Sequence, residues 1–521
     1  MNRTRDFLAA ALLCVLGAAT AEAAAQDADA LIRFRKAFFE GAAPVADRVA
    51  AARGIGLAEG RPAAEMACRA LGETLDRMES LAKERSAVRE ELARIAAGRE
   101  GDGSPDGGPE ARKRQRELRE REETLRLLDE GERGVAEELR RALLGFRDDR
   151  ALEHLAATLR GALPGGVRAA AAEALGASRW EGAAKALRGA LRDRDPQVRE
   201  AALAALGRAA AKEEETRRSL AEALDDERWT VRIAAARRLA AMATPEAVDL
   251  LVARLAKEDG RLRRDLADLL RALTGQGFGI EPEGWTHWWK ENRADFASGE
   301  RPLSAPEPGA PPPSDGPAAG ERASYYGIPI HSRRILYVVD VSGSMNDPGG
   351  GDPGVPRVDE AKKELLRSIR GLDAGSAFTI YAFNDAVRKW RPSLVKATAE
   401  GKEEARKWVD LLEAGAWTNT HAALEEALRA SAADPRNNMG EDYAMVADTV
   451  FLLTDGAPTT PAGRLEDVRG RPEWQRVLEA VRGWNREKRV AVHCVGVGSA
   501  INAEFLNALA RENGGRFVRV K

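Results

Sequence analysis

Residues 335–345 read ILYVVDVSGSM, and the fold follows from how this stretch is read. Ile335 to Val339 is an apolar run of buried-strand length, and it leads directly into Asp340-Val341-Ser342-Gly343-Ser344. A helical pattern, RVDEAKKELLRSIRGL, follows from Arg357. A D-x-S-x-S string alone is weak evidence, but here it sits where an apolar strand ends and before a helix begins. Further runs repeat the alternation. AFTIYAF from Ala377, DTVFLLT from Asp448, VAVHCVGVG from Val490 and RFVRV from Arg516 read as buried strands. Amphipathic patterns separate them, including ATAEGKEEARKWVDLLEAG from Ala397 and NAEFLNALARENG from Asn502. Strands alternating with helices predict an α/β domain over 325–521, its mostly parallel sheet covered on both faces. Ligands of such sheets bind beyond the carboxyl ends of the strands, the edge where Asp340 falls.

Outward from this domain the composition changes. Residues 297–324, ASGERPLSAPEPGAPPPSDGPAAGERAS, carry Pro, Gly, Ala and Ser without apolar periodicity, which predicts a linker. Residues 26–296 are rich in Ala, Leu, Arg and Glu and read as helical throughout. Within them VRAAAAEALG from Val167, VREAALAALG from Val198, VRIAAARRLA from Val231 and LRRDLADLLR from Leu262 recur at offsets of 31, 33 and 31. One helix pair cannot bury its apolar face alone, so such units stack. Ala30 to Gly56, with Arg48-Val49-Ala50-Ala51, reads as a degenerate outlying unit. The Trp285, Trp288 and Trp289 set falls at helical spacing and reads as a cap on the end of the array.

Two long charged helices lie within 26–149. Leu71, Leu75, Met78, Leu81, Val88, Leu92 and Ile95 mark the first; Leu118, Leu125, Leu128, Val135, Leu139 and Leu143 mark the second. Spacings of three, four and seven predict a coiled-coil hairpin over about 66–146, reversing at the Gly-rich GREGDGSPDGGP. At the N-terminus, Arg3 and Arg5 precede an apolar run from Phe7 to Ala21, and Ala21-Glu22-Ala23 or Ala23-Ala24-Ala25 offers a small-x-small cleavage site. Residues 1–25 therefore read as a signal peptide, with an uncleaved anchor as the alternative. No later stretch is long and apolar enough to span a membrane.

The 521 residues include 81 Lys+Arg and 83 Asp+Glu, a formal net charge of −2, which excludes nucleic-acid binding through bulk positive charge. Three Cys exclude a disulfide-stapled scaffold and a four-Cys zinc site, and a disulfide between Cys68 and Cys494 stays open. There is no G-x-S-x-G elbow, no phosphate-cradling G-x-x-x-x-G-K and no H-E-x-x-H, so no catalytic residue is assigned.

VVDVSGSM, then WTNTHAALEEAL, then VFLLTDGAP resemble, in order, the three loops of the von Willebrand factor A domain family, a Rossmann-like α/β fold. The repeats over about 150–275 resemble short HEAT-like units, each an acidic turn followed by Val-Arg and an Ala-rich helix. The first resemblance implies a metal-ion-dependent adhesion site with Asp340, Ser342 and Ser344 from the first loop, Thr418 from the second and Asp455 from the third. Thr420 is the fallback for Thr418, and Ala416-Trp417 stands where the family commonly has Gly. All five side chains offer hard oxygen, a set that suits Mg²⁺ or Mn²⁺ rather than Zn²⁺.

The expectation is a multidomain chain: an all-α array with its hairpin (26–149, then HEAT-like repeats and Trp-rich cap at 150–296), a linker, and the A-type domain. The function it implies is non-enzymatic. An exported protein of the bacterial periplasm or cell surface would bind protein partners that offer Asp or Glu to the metal, with the repeat arm as a second surface. No nucleic acid is expected, nor a membrane span after signal cleavage. Two alternatives stay open: an envelope scaffold whose metal only stabilises one domain, and a chaperone-like subunit serving an ATPase.

Overall fold

The computed structural model describes residues 26–41, 43–56, 58, 60–101, 109–209, 214–306, 323–349, 354–415, 417–431, 447–456, 473–485, 490–498 and 501–520. The expected signal peptide lies outside these residues. The chain divides into two compact units, Met1–Arg238 and Leu239–Lys521.

The first unit is helical. After α1 (26–39) and α2 (Val45–Ile55) come two long helices, α3 (Arg61–Gly101) and α4 (Pro109–Gly145). Ion pairs Arg85–Asp129, Arg89–Glu122 and Arg114–Glu91 show that α3 and α4 run antiparallel. Val88, Leu118 and Leu125 pack between them with Leu81, Leu92 and Ile95. Leu128, expected in this seam, is instead 48% exposed. The helical spacing from Leu125 places Asp129 in the seam, and the side chain that meets it is Arg85 at 3.2 Å, both buried. A charged pair therefore fills a level where leucine was expected.

The shorter helices follow in pairs: α5 (Asp149–Thr158), α6 (Gly165–Ala177), α7 (Ala183–Ala190), α8 (Pro196–Ala209), α9 (Glu214–Ala223) and α10 (Trp229–Met242). Their starts are written locally. The Asp148 carboxylate accepts the Ala151 N–H at 2.9 Å, and the Asp195 carboxylate accepts the Gln197 N–H at 2.9 Å ahead of Pro196. Small Ala and Gly residues let helices approach closely: a Cβ on Gly176 would lie 2.6 Å from the Ala205 Cα.

The second unit opens with α11 (Pro245–Leu255), α12 (Gly260–Thr274) and α13 (Pro282–Ser298). Trp285 and Trp289 are buried, and the Trp289 indole N–H donates to Asp249 of α11 at 2.7 Å, so α13 packs against α11. The stretch after α13 is tied back to α12 and α13. The Ser304 N–H donates to the Leu273 carbonyl at 3.0 Å, and Arg301 lies over the Phe296 ring at 4.9 Å. Within the expected linker, residues 307–322 lie outside the described set.

The α/β domain begins with a hairpin of β1 (Ser324–Tyr325) and β2 (Ile328–Pro329). Then come β3 (Arg334–Asp340), α14 (Arg357–Gly371), β4 (Ala377–Phe383), β5 (Val387–Lys389), β6 (Val395–Lys396), α15 (Ala399–Asp410) and α16 (Thr420–Ser431). β7 (Thr449–Thr454), α17 (Glu473–Trp484), β8 (Ala491–Val497), α18 (Ala503–Glu512) and β9 (Phe517–Val520) complete it. The sheet order is β5-β4-β3-β7-β8-β9, with β6 also on β4. β4, β3, β7, β8 and β9 are parallel, whereas β5 and β6 pair antiparallel with β4. α14 and α15 cover one face, and α16, α17 and α18 the other. Cys68 and Cys494 are buried and free, so no disulfide joins them.

At the amino-terminal edge of the sheet Asp448 gathers three segments. Its carboxylate accepts Ser332 at 2.5 Å and Arg334 at 2.8 Å, while its carbonyl accepts the Arg261 guanidinium of α12 at 2.6 Å. α12 is thereby fastened to the base of the α/β domain.

Candidate metal centre

The opposite, carboxyl edge of the sheet brings the motif residues together. β3 and β7 are adjacent and parallel, so Asp340 and Asp455 leave the sheet side by side. Asp340 is fully buried. Its Oδ1 accepts the Ser342 N–H at 2.8 Å, and its Oδ2 accepts the Thr454 hydroxyl at 2.6 Å. The turn this creates carries Ser342 and Ser344 to the same side, their hydroxyls 3.3 Å apart. Ser344 Oγ then donates to Asp455 Oδ1 at 2.8 Å. Four of the five expected ligands thus form one continuous hydrogen-bonded chain.

Thr418 approaches from the second loop. Its Oγ1 stands 4.0 Å from the point where a Cβ on Gly456, the neighbour of Asp455, would sit. This loop is pinned to both adjoining loops. The Gly415 N–H donates to the Val341 carbonyl at 2.9 Å, the Asn346 amide to the Ala414 carbonyl at 3.2 Å, and the Asn419 N–H to the Asn384 carbonyl at 2.7 Å. Thr420, the fallback, opens α16. Its hydroxyl is buried and lacks a hydrogen-bond partner among the described residues. Trp417, beside Thr418, is 84% exposed.

The electrostatics call for positive charge. Burial, with the nearby Asp455 carboxylate, pushes the Asp340 carboxyl up to about 6, although hydrogen bonds from Ser342 and Thr454 hold it down. Two carboxylates and three hydroxyls make an all-oxygen set of the hard type that Mg²⁺ and Mn²⁺ prefer. Among the described residues no group of three or more His, Cys, Asp or Glu gathers, so this mixed set is distinct from a carboxylate- or imidazole-rich cage. The residues present fit a divalent cation. Asp340, Ser342, Ser344, Thr418 and Asp455 would hold it, and it would supply Lewis acidity towards an incoming oxygen ligand.

Two participants escape motif reading. Thr454 ends β7 as an ordinary strand residue, yet its hydroxyl orients Asp340. Arg357 opens α14, where a cation opposes the helix dipole and where an acidic residue would be usual. That misfit was the available signal. Its Nη1 donates to Asp455 Oδ2 at 2.9 Å.

The site and fold define a von Willebrand factor type A domain, and the family model of that description matches residues 333–518. A second match, HEAT repeats, spans residues 184–271. The particular likeness is to inter-alpha-trypsin inhibitor heavy chains. Heavy chain H4 of Homo sapiens is 28% identical over 194 residues, which is 37% of this chain and 19% of that protein. Heavy chain H3 of Rattus norvegicus is 27% identical over 192 residues, 36% of this chain and 19% of that one. The chain thus spans about a fifth of the length of these relatives. A solved von Willebrand factor type A structure from Catenulispora acidiphila is 22% identical, covering 37% of this chain and 40% of that chain at a TM-score of 0.28.

Proposed function

We propose that this chain is an exported, non-enzymatic protein-binding protein whose A-type domain engages partners through a divalent cation. The observation that carries the reading is the convergence of Asp340, Ser342, Ser344 and Asp455 in one hydrogen-bonded chain, with Thr418 beside Gly456. The cation is Mg²⁺ or Mn²⁺. Two carboxylates balance its charge but, with three hydroxyls, leave its six-coordinate shell unfilled, and an Asp or Glu of the partner completes its coordination. Exposed Trp417 offers that partner an aromatic contact beside the metal. The likeness to the inter-alpha-trypsin inhibitor heavy chains supports protein partners and an extracytoplasmic setting; the HEAT repeats supply a second interaction surface. Among the described residues no helix is long and apolar enough to cross a membrane.

The scaffold alternative is favoured by one observation: Arg357 already neutralises Asp455. Asp340→Ala separates the readings. It removes one of two acidic groups and no apolar surface, so the fold should persist while cation binding is lost. Wild type should melt higher in Mg²⁺ than in EDTA, by about 2.7 kcal/mol of added stability at a hundredfold excess over Kd, and the variant should melt equally in both. Mg²⁺-dependent capture of partners that vanishes in Asp340→Ala supports the adhesion reading. Capture that ignores both EDTA and the substitution supports the scaffold.

A further inference from the structure

We propose that Arg357 is a built-in counter-cation of the metal centre, which competes with the divalent ion for Asp455 and thereby sets the affinity of the site. The inference rests on the cation-dependent reading above and adds to it a residue, a displaced state and a direction of effect.

The arrangement begins in the backbone. Pro356 caps α14, the Arg357 N–H donates to the Asp347 carbonyl at 3.0 Å, and the Gly349 N–H donates to the Val355 carbonyl at 2.8 Å. These bonds fix the Arg357 Cα beside the first motif loop. Its side chain crosses to β7 and places Nη1 2.9 Å from Asp455 Oδ2; Asp455 is buried. Room for the guanidinium comes from Gly498, at the end of β8, whose φ is +85°. A Cβ there would lie 2.9 Å from both Cζ and Nε of Arg357. Three separate strand ends and loops therefore build a seat for this one side chain.

The seat is incomplete. Arg357 Nε is buried and has no hydrogen-bond partner among the described residues, and the contact of Nη1 with the Ser344 carbonyl is long at 3.4 Å. The fork of Arg357 is thus only partly used, and the oxygen it does engage belongs to a candidate ligand. A second acid waits nearby: the exposed Asp347 carboxylate is 3.8 Å from Nη1. Asp455 has one oxygen on Ser344 and the other on Arg357, so both are engaged. A divalent ion that takes Asp455 must make the Ser344 hydroxyl turn a lone pair towards it. It must also repel Arg357, and Asp347 is placed to receive the guanidinium. Without the ion, Arg357 keeps the buried Asp455 charge paired, so the empty site does not carry an isolated buried carboxylate.

Titration of the full chain with Mn²⁺ by calorimetry, alongside melting in EDTA, tests this. Arg357→Gln should bind Mn²⁺ more tightly than wild type by about tenfold or more, and should melt lower in EDTA. Asp347→Asn, which removes the alternative acceptor, should weaken Mn²⁺ binding a few-fold while leaving melting in EDTA unchanged. Should Arg357→Gln fail to fold, Arg357→Lys carries the test: a compact ammonium without the fork should tighten Mn²⁺ binding by a smaller factor. Wild-type uptake of Mn²⁺ that neither Arg357 variant improves overturns the counter-cation alone and leaves the metal site standing. No uptake by wild type or either variant overturns both. Uptake only after Arg357 is replaced means that the arginine excludes the metal, the strongest form of the proposal.

Discussion

In the repeats, Arg168 gives Nε and Nη2 to the two oxygens of Asp193, at 2.9 and 2.7 Å, and Nη1 to the Leu163 carbonyl at 2.5 Å. Arg199 does the same one unit later, with Nε and Nη2 on Asp226 at 2.8 and 2.9 Å and Nη1 on the Asp193 carbonyl at 2.9 Å. At the candidate metal centre Arg357 meets Asp455 through a single nitrogen, and its Nε goes unpartnered among the described residues. The residue types and the burial are alike, but the saturation differs. In the repeats, Arg168 and Arg199 are each locked into the acidic turn of the next unit, with all three guanidinium nitrogens engaged. At the sheet edge the pair is left half made, so it can be exchanged. What distinguishes the Arg357–Asp455 pair is that its incomplete bonding lies on a candidate metal ligand.

The largest effect on folding should come from breaking a saturated pair. Arg168→Ala leaves Asp193 without its fork in a poorly hydrated turn, and a loss of about 3–5 kcal/mol is expected. The measurement is urea unfolding of the full chain followed by circular dichroism. Mn²⁺ uptake should be unchanged, and Arg168→Met with Asp193→Leu should recover most of the loss. A loss below about 1 kcal/mol would class Arg168–Asp193 with surface pairs and dissolve the contrast.

A smaller effect tests the other way of burying a titratable group, which is to keep it neutral. His493 lies in β8, stacked on Phe451 with ring centroids 4.8 Å apart, and its Nδ1 accepts the Arg516 N–H at 3.0 Å. The neutral ring therefore carries its proton on Nε2. Burial first, then the positive charges of Arg261 and Arg516, pushes its pKa down from 6.5 to about 3. The sign follows by linkage: below 6.5 the unfolded chain takes up a proton that the folded chain refuses. This stability is complete above 6.5 and drains away as pH falls towards about 3. His493→Gln cannot titrate, so its stability should fall less steeply with acid across that window. Parallel slopes for the two proteins would show that another group governs acid lability.

Much of this architecture was legible in the sequence because it depends on short-range regularities. β-Branched runs gave β3, β4, β7, β8 and β9; recurrence of Val-Arg gave the stacked helices; and a strand ending in Asp340-x-Ser-x-Ser gave the sheet edge that bears the site. What was missed depends on pairs distant in sequence. Arg357 and Asp455 are separated by 98 positions, and only the parallel pairing of β3 with β7 brings them together. Arg85 and Asp129 fill a seam level that apolar spacing assigned to Leu128, because a charged pair in register is invisible to a count of leucines. The antiparallel edge strands β5 and β6 are too short, and too exposed, for alternation to register. Thr454 looks like strand filler until Asp340 is seen beside it.

The smallest effect on folding should come from Trp417, and it sharpens the contrast between residues that hold the centre and residues that use it. The indole is 84% exposed and stands next to Thr418 in a loop whose backbone is fixed by Gly415 and Asn419 rather than by the ring. Trp417→Ala should therefore change stability by less than about 0.5 kcal/mol. It should also leave Mn²⁺ uptake unaltered, since no candidate ligand is removed. Partner capture should respond differently. A large aromatic beside a cation with an open coordination position has the composition of an interface hot spot, where truncation costs about 2 kcal/mol or more, roughly thirtyfold in affinity. Melting, metal titration and Mg²⁺-dependent capture on the same variant read the three quantities separately. Unchanged capture would confine recognition to the metal and the partner's carboxylate. A large drop in melting temperature would mean that the ring packs in solution and belongs with the saturated arginines as a structural element.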